Sequence, residues 1–166
     1  GSDASLTAQR AEWRLLRDNL FTCDIAKPFV LLDRTTDQPK QFHVITAWEV
    51  LEHIPEADMP MLLSNIAKHL LPEGIFVASI ANYDDIDPDS GVNWHVTLHP
   101  YAWWKEYFEQ AGFIVCSELL DPADLARGGY NPPNAYLPPN QNVDSERCFH
   151  LVARRRQPAE TEEQNK

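Results

Sequence analysis

The sequence predicts an α/β domain built on a mostly parallel sheet, and three observations lead there. Short runs rich in β-branched and aromatic residues alternate with segments whose apolar residues repeat at three and four. The helical segments fall between the strands, which is the connection that parallel pairing requires. One run, Ile75-Phe76-Val77-Ala78-Ser79-Ile80, is apolar almost throughout, as in a central strand covered on both faces. A chain of 166 residues with 43% hydrophobic content suffices for one packed domain.

Along the chain, Leu6, Trp13, Leu16 and Leu20 share one face between charged residues, so residues 6–20 are expected as a helix capped by Asp3 or Ser5. Leu20 to Ile25 is expected as a short strand ending in the carboxylate of Asp24. Pro28 and Pro39 bracket a loop containing a second apolar run, Phe29 to Leu32. Phe42 to Ala47 is the clearest early strand. Glu49 to Ile54 follows at once and Pro55 breaks it. Met59 to Leu71 is an amphipathic helix carried by Leu62, Leu63, Ile66, Ala67, Leu70 and Leu71. Pro72-Glu73-Gly74 ends that helix, and a strand runs from Gly74 to Ala81.

A polar loop from Asn82 to Asn93 carries four aspartates. Pro100 opens a helix, Tyr101 to Ala111, which Gly112 stops. Phe113 to Leu119 is a strand, followed by a loop over 121–144 with five prolines. Cys148 to Val152 forms the final strand. The long helix-free connection before it favours antiparallel pairing at the sheet edge. Residues 1–153 are expected as the domain and 154–166, with Arg154-Arg155-Arg156 and then Glu160, Glu162 and Glu163, as a disordered polar tail.

The net charge of −11 makes the chain a poor partner for phosphate backbones, so nucleic acid is disfavoured. No apolar run reaches the ~20 residues of a membrane helix, and no signal peptide is visible. Three widely spaced cysteines, without a CxxC pair, read as small buried hydrophobes in a reducing cytoplasmic setting.

In open α/β sheets, ligands gather beyond the carboxyl ends of the strands. Glu49, Glu52 and His53 follow a strand at spacing i, i+3, i+4, which in a helix puts all three on one face. Two carboxylates and an imidazole can hold a divalent metal. His95 and His99 follow further on. Trp94, Tyr101, Trp103, Trp104 and Tyr107 either line an acceptor site or pack on the sheet. Asp84, Asp85, Asp87 and Asp89 lack the glycine and terminal glutamate of a calcium loop and are expected to be solvated.

Four segments, taken in order, resemble the class I S-adenosylmethionine-dependent methyltransferases. They are Glu49-Val50-Leu51-Glu52-His53 after a strand, Leu70-Leu71-Pro72-Glu73-Gly74 before the next, the run Trp103 to Phe113 ending in Ala111-Gly112-Phe113, and Arg147 to Ala153. The resemblance covers residues from about 20 to 154. It implies a Rossmann-like, mostly parallel sheet with helices on both faces and an antiparallel final strand. The first strand and its glycine-rich cofactor loop have no counterpart, so the resemblance is to a partial domain lacking the first βα unit. The resemblance also implies S-adenosylmethionine as cofactor. By position, Asp3 falls on the ribose-binding acid, Asp24 and Ile25 lie near the adenine, and Trp48 and Glu49 lie against the cofactor.

Small-RNA 2′-O-methyltransferases and ubiquinone-pathway O-methyltransferases are similar in this region. The former imply Mg²⁺ on Glu49, Glu52, His53 and His95. A metal-free polar role in the pocket and a purely structural role remain open for the same residues, and His53 and His95 are the candidates for proton removal. The expected activity is O-methyl transfer to a small molecule, glycan or nucleic-acid end. The alternative is a non-catalytic methyltransferase-like module completed by a missing N-terminal segment or a partner chain; a metabolite-binding α/β domain of another family is disfavoured by the last two segments.

Overall fold

The computed structural model of the chain describes residues 19, 20, 22–119 and 148–157. The expected first helix (apart from its last two residues), Asp3, the proline-rich loop and the chain beyond 157 lie outside the described residues. Among the described residues four strands form one sheet: β1 (Phe42–Trp48), β2 (Leu70–Ala81), β3 (Phe113–Val115) and β4 (Cys148–Arg155), in the order β1-β2-β4-β3. β1 and β2 are parallel, with Thr46 opposite Val77 and Trp48 opposite Ser79. β4 runs antiparallel to both β2 and β3. Three strands therefore point one way and the final strand opposes them, as expected. It does so from inside the sheet, leaving the short β3 at the margin.

Two helices, α1 (Met59–His69) and α2 (Tyr101–Gln110), are described. Strand side chains alternate between faces, and Ile45, Ala47, Phe76, Ala78, Ile80, Phe149, Leu151 and Ala153 share one of them. Leu62, Leu63 and Ile66 of α1, with Trp104 and Phe108 of α2, complete that core. The rings of Phe76 and Phe108 stack at 5.8 Å. Both described helices thus cover the same face. On the other face Val77, Ser79, Ala81 and Val152 are also buried, which agrees with a central strand shielded on both sides.

Several boundaries differ from the sequence expectation for local reasons. α1 stops at His69, because Leu70 is already extended and Pro72 disfavours helical backbone in the residue before it. Gly74 is accordingly not a helix cap; it lies within β2. A Cβ there would stand 2.8 Å from the Phe42 carbonyl oxygen and 3.1 Å from that of His43, next to the register shift between Phe42 and Val44. β4 continues through Arg155, whose guanidinium donates to the carbonyls of Ala67 at 2.9 Å and Leu70 at 3.3 Å and so covers the end of α1.

Of the strand expected over 20–25, the described residues 20 and 22–25 form no strand. Asp24 instead accepts from Ala26 N–H on its side chain and from Lys27 N–H on its backbone, a local turn that competes with sheet pairing. The strap that follows is fastened to α1. Asn65 Nδ2 donates to the carbonyls of Ile25 and Lys27 at 3.0 and 2.8 Å. His69 Nδ1 donates to the Asn65 carbonyl, so its Nε2 accepts from Leu31 N–H at 3.0 Å. Strap, α1 and β1 enclose an apolar cavity of about 350 Å³. Among the described residues nothing pairs with the outer edge of β1, and no described helix is long and apolar enough to cross a membrane.

Candidate active site

The chain leaves β1 through an unusual turn. Glu49 has φ +52°, a left-handed conformation that costs a side-chain-bearing residue about 1–2 kcal/mol. It is held there by Ser79 at the same end of β2. Glu49 N–H donates to the Ser79 backbone and hydroxyl oxygens, both at 3.1 Å, and Ser79 Oγ donates to Glu49 Oε1 at 2.7 Å. A single 3-10 turn, Leu51–His53, then returns the chain over the carboxyl ends of the strands.

That turn is laced to the segment 94–97. The Glu52 carbonyl accepts from Val96 and Thr97 N–H at 2.8 and 3.0 Å, and Thr97 Oγ1 donates to the Ile54 carbonyl. The pairing brings Glu52, His53 and His95 together, with one ligand-type atom of each within 4.8 Å of the others. The two imidazole rings meet edge to face at 4.7 Å.

The hydrogen bonds around the cluster define what it presents. His53 Nδ1 lies 2.9 Å from the Trp94 carbonyl, and His95 Nδ1 bonds the Tyr83 carbonyl. A carbonyl only accepts, so both Nδ1 atoms carry the proton and each Nε2 offers a lone pair. Glu52 is fully buried; its Oε1 accepts from Ala81 N–H at 3.1 Å, and its Oε2 has no partner among the described residues. Burial, reinforced by the charge of Glu49, pushes the Glu52 carboxyl up to about 7, with the Ala81 amide and His95 partly opposing the shift.

The structure sorts the residues singled out from sequence. It joins Glu52, His53 and His95. It does not join Glu49 to them, because the left-handed residue and the short 3-10 turn replace the regular helix that i, i+3, i+4 spacing assumes, and Ser79 engages the Glu49 carboxylate. Trp48 stands at the end of β1, 45% exposed and edge-on to His150. Asp24 is exposed on the strap, and Ile25 and Ala47 line the apolar cavity. Trp104 belongs to the core, while Trp103 stacks between His99 and Tyr107. The four aspartates form local turns in an exposed loop.

Ser79 and the Tyr83 and Trp94 carbonyls were not assigned roles from sequence. Ser79 carried one signal, a lone hydroxyl near the end of an apolar strand. The carbonyl partners carried none, since any residue supplies that group.

A family model described as a methyltransferase domain matches residues 3–118. None of the curated proteins matches. Solved structures of similar shape include an S-adenosylmethionine-dependent methyltransferase from Clostridium acetobutylicum, at 12% identity and TM-score 0.55, covering 94% of this chain and 73% of that one. The 1,6-didemethyltoxoflavin-N1-methyltransferase of Burkholderia thailandensis aligns at 16% identity and TM-score 0.54, over 90% and 58%. A Pyrococcus horikoshii protein aligns at 11% and 0.51, over 92% and 68%. Likeness at these identities establishes the fold alone. The chain spans between 48% and 73% of the length of the solved structures it matches. The family match extends over most of the sequence, from before the strap to the end of β3, and takes in the strand-end cluster: the chain belongs to the methyltransferase domain family.

Proposed function

We propose that this chain belongs to a class I S-adenosylmethionine-dependent methyltransferase that transfers the methyl group to an oxygen of a small molecule, glycan or nucleic-acid end. The observation that carries this reading is the meeting of two imidazoles and a buried carboxylate after the parallel strands, with one ligand-type atom of each within 4.8 Å of the others. Bound cofactor supplies an electrophilic methyl group on a sulfonium. The chain's own residues orient the acceptor and take its proton. His53 is the first candidate base, because it is partly exposed and its Nδ1–H on the Trp94 carbonyl leaves the Nε2 lone pair to take a proton; His95 is the second.

On the cofactor side, the half-exposed indole of Trp48 fits a flat ring, and the exposed carboxylate of Asp24 fits an amine or hydroxyl donor. Ile25 and Glu49 flank these positions, and Asp3 completes the set carried over from the family. A reducing cytoplasmic setting belongs to the same reading, with Cys23, Cys116 and Cys148 all free. Mg²⁺ fits poorly. It prefers oxygen ligands in octahedral array, whereas the cluster offers two nitrogens and one carboxylate, and Glu49 is engaged by Ser79.

Calorimetry with S-adenosylmethionine and S-adenosylhomocysteine tests the reading. Binding at micromolar concentration supports it, and absence of binding by folded protein defeats it for this chain alone. A second reading, a non-catalytic module completed by another segment or chain, is favoured by the edge of β1, unpaired among the described residues, beside an apolar cavity. Cofactor binding that appears only when a glycine-loop-bearing segment is added supports that second reading.

A further inference from the structure

We infer that Glu52, His53 and His95 form a three-ligand site for a borderline divalent transition ion of the zinc class, with Glu52 Oε2, His53 Nε2 and His95 Nε2 as the donors. The inference concerns the same cluster as the proposed function but does not depend on methyl transfer.

Three features separate this cluster from a chance meeting of polar residues. First, both imidazoles are oriented from behind. Each Nδ1–H is bonded to a backbone carbonyl, Trp94 for His53 and Tyr83 for His95, the arrangement that fixes the tautomer of a ligating histidine and directs its Nε2 lone pair outward. Second, Glu52 is fully buried and only half satisfied. Oε1 is held by the Ala81 amide, while Oε2 has no partner among the described residues. A buried oxygen left so is costly unless something binds it. Third, the scaffold is rigid at the right places. The two segments carrying the ligands are tied together by two backbone hydrogen bonds to the Glu52 carbonyl and by Thr97 Oγ1 on the Ile54 carbonyl.

The donor chemistry selects the ion. Two neutral imidazoles and one carboxylate suit zinc and its neighbours, whereas magnesium and calcium favour all-oxygen shells. Bonds of ~2.1 Å to a tetrahedral ion put donors roughly 3.4 Å apart. Donor atoms within 4.8 Å of one another must therefore draw in by at most about 1.4 Å, and the partly exposed ring of His53 has room to move. Three protein donors leave at least one coordination position unfilled.

The test uses the whole chain, purified in chelator and dialysed. Zn²⁺, Co²⁺ and Mg²⁺ are titrated by calorimetry, with bound metal counted by mass spectrometry and the visible absorption of the Co²⁺ form recorded. The expected result is one Zn²⁺ or Co²⁺ per chain, bound at least ~100-fold tighter than Mg²⁺. His53→Ala alters a partly exposed ring and leaves the circular dichroism unchanged; it should weaken Zn²⁺ at least ~10-fold and change the Co²⁺ spectrum. Glu52→Gln and His95→Asn should do the same. Sub-stoichiometric binding, Mg²⁺ binding as tight as Zn²⁺, or Zn²⁺ affinity untouched by His53→Ala overturns the inference. S-adenosylmethionine binding measured on the same samples reports separately on the proposed activity.

Discussion

Ser79 and Glu49 hold each other across the ends of the two parallel strands: Ser79 Oγ donates to Glu49 Oε1 at 2.7 Å while accepting from Glu49 N–H at 3.1 Å. This reciprocal pair keeps Glu49 at φ +52°. The left-handed turn in turn lets Leu51–His53 fold back over the sheet. Ser79→Ala should cost about 1–2 kcal/mol, because it strips one partner from a mostly buried pair. Glu49→Ala and Glu49→Gly both lose the side-chain bond, but only glycine relieves the backbone. The glycine variant should be the more stable of the two by about 0.5–1 kcal/mol, after its greater unfolded-state entropy is counted. Urea melts of the three variants check the order; a glycine variant weaker than the alanine variant would show that Glu49 is not strained.

Glu52 gives a pH dependence in the metal-free protein. Burial raises its carboxyl from 4.5 to about 7. Between those values the unfolded chain releases a proton that the folded chain keeps, so stability falls as pH rises. The contribution is fully present below pH 4.5 and gone above 7, and amounts to about 3 kcal/mol. Glu52→Gln cannot ionise. In chelator, the wild type should lose about 3 kcal/mol more than Glu52→Gln between pH 4.5 and 7.5. Parallel curves for the two proteins would place the titration elsewhere.

Asn65 fastens the strap to α1 at two points. Asn65 Nδ2 serves the carbonyls of both Ile25 and Lys27. Asn65→Ala removes both bonds from partly buried groups, at a cost of about 1–3 kcal/mol. Hydrogen exchange should quicken over residues 22–31 while the amides of β2 and β4 stay protected. Uniform quickening throughout would mean that the strap is an integral part of the cooperative core.

Period and composition made the sheet strands and both helices legible, because Phe42–Trp48, Met59–His69 and Tyr101–Gln110 each bury one patterned face. The expected strand over 20–25 failed because Asp24 found backbone partners two and three residues away, and an apolar run does not reveal that competition. At the site, Glu52, His53 and His95 were legible as residue types after a strand. Their meeting depends on Val96 and Thr97 pairing with the Glu52 carbonyl, a contact spanning more than forty residues with no side-chain signature. Glu49 was misplaced because spacing arguments assume helical φ throughout, and one left-handed residue cancels them.

Trp48 separates cofactor contact from structural support. Its indole is 45% exposed at the end of β1, so Trp48→Ala should change stability by little, within about 1 kcal/mol. If the ring lies against bound cofactor, the same change should weaken S-adenosylhomocysteine binding about 10-fold, equivalent to ~1.4 kcal/mol. Calorimetry on both proteins reads the two effects apart. Lost stability with unchanged affinity would assign Trp48 to packing against His150 instead.

Gly74 sets how closely β2 approaches β1, and a comparison among glycines isolates that role. Alanine at Gly91 or Gly112 would occupy a left-handed backbone, φ +71° or +87°, with nothing within 4 Å of the new carbon; each change should cost about 1–2 kcal/mol from the backbone alone. Alanine at Gly74 meets no such φ penalty. Its methyl instead falls 2.8 Å from the Phe42 carbonyl oxygen and 3.0 Å from a Leu70 methyl. The carbonyl is backbone, so relief requires β1 itself to move, and forced repacking of this kind costs about 1–3 kcal/mol. The difference between the sites is therefore in reach rather than in magnitude. Gly74→Ala should shift amide resonances along β1 as far as Trp48 and Glu49, whereas Gly91→Ala and Gly112→Ala should perturb only their own turns. Shifts confined to residues 72–76 in the Gly74 variant would show that the register shift at Phe42 and Val44 absorbs the methyl group locally.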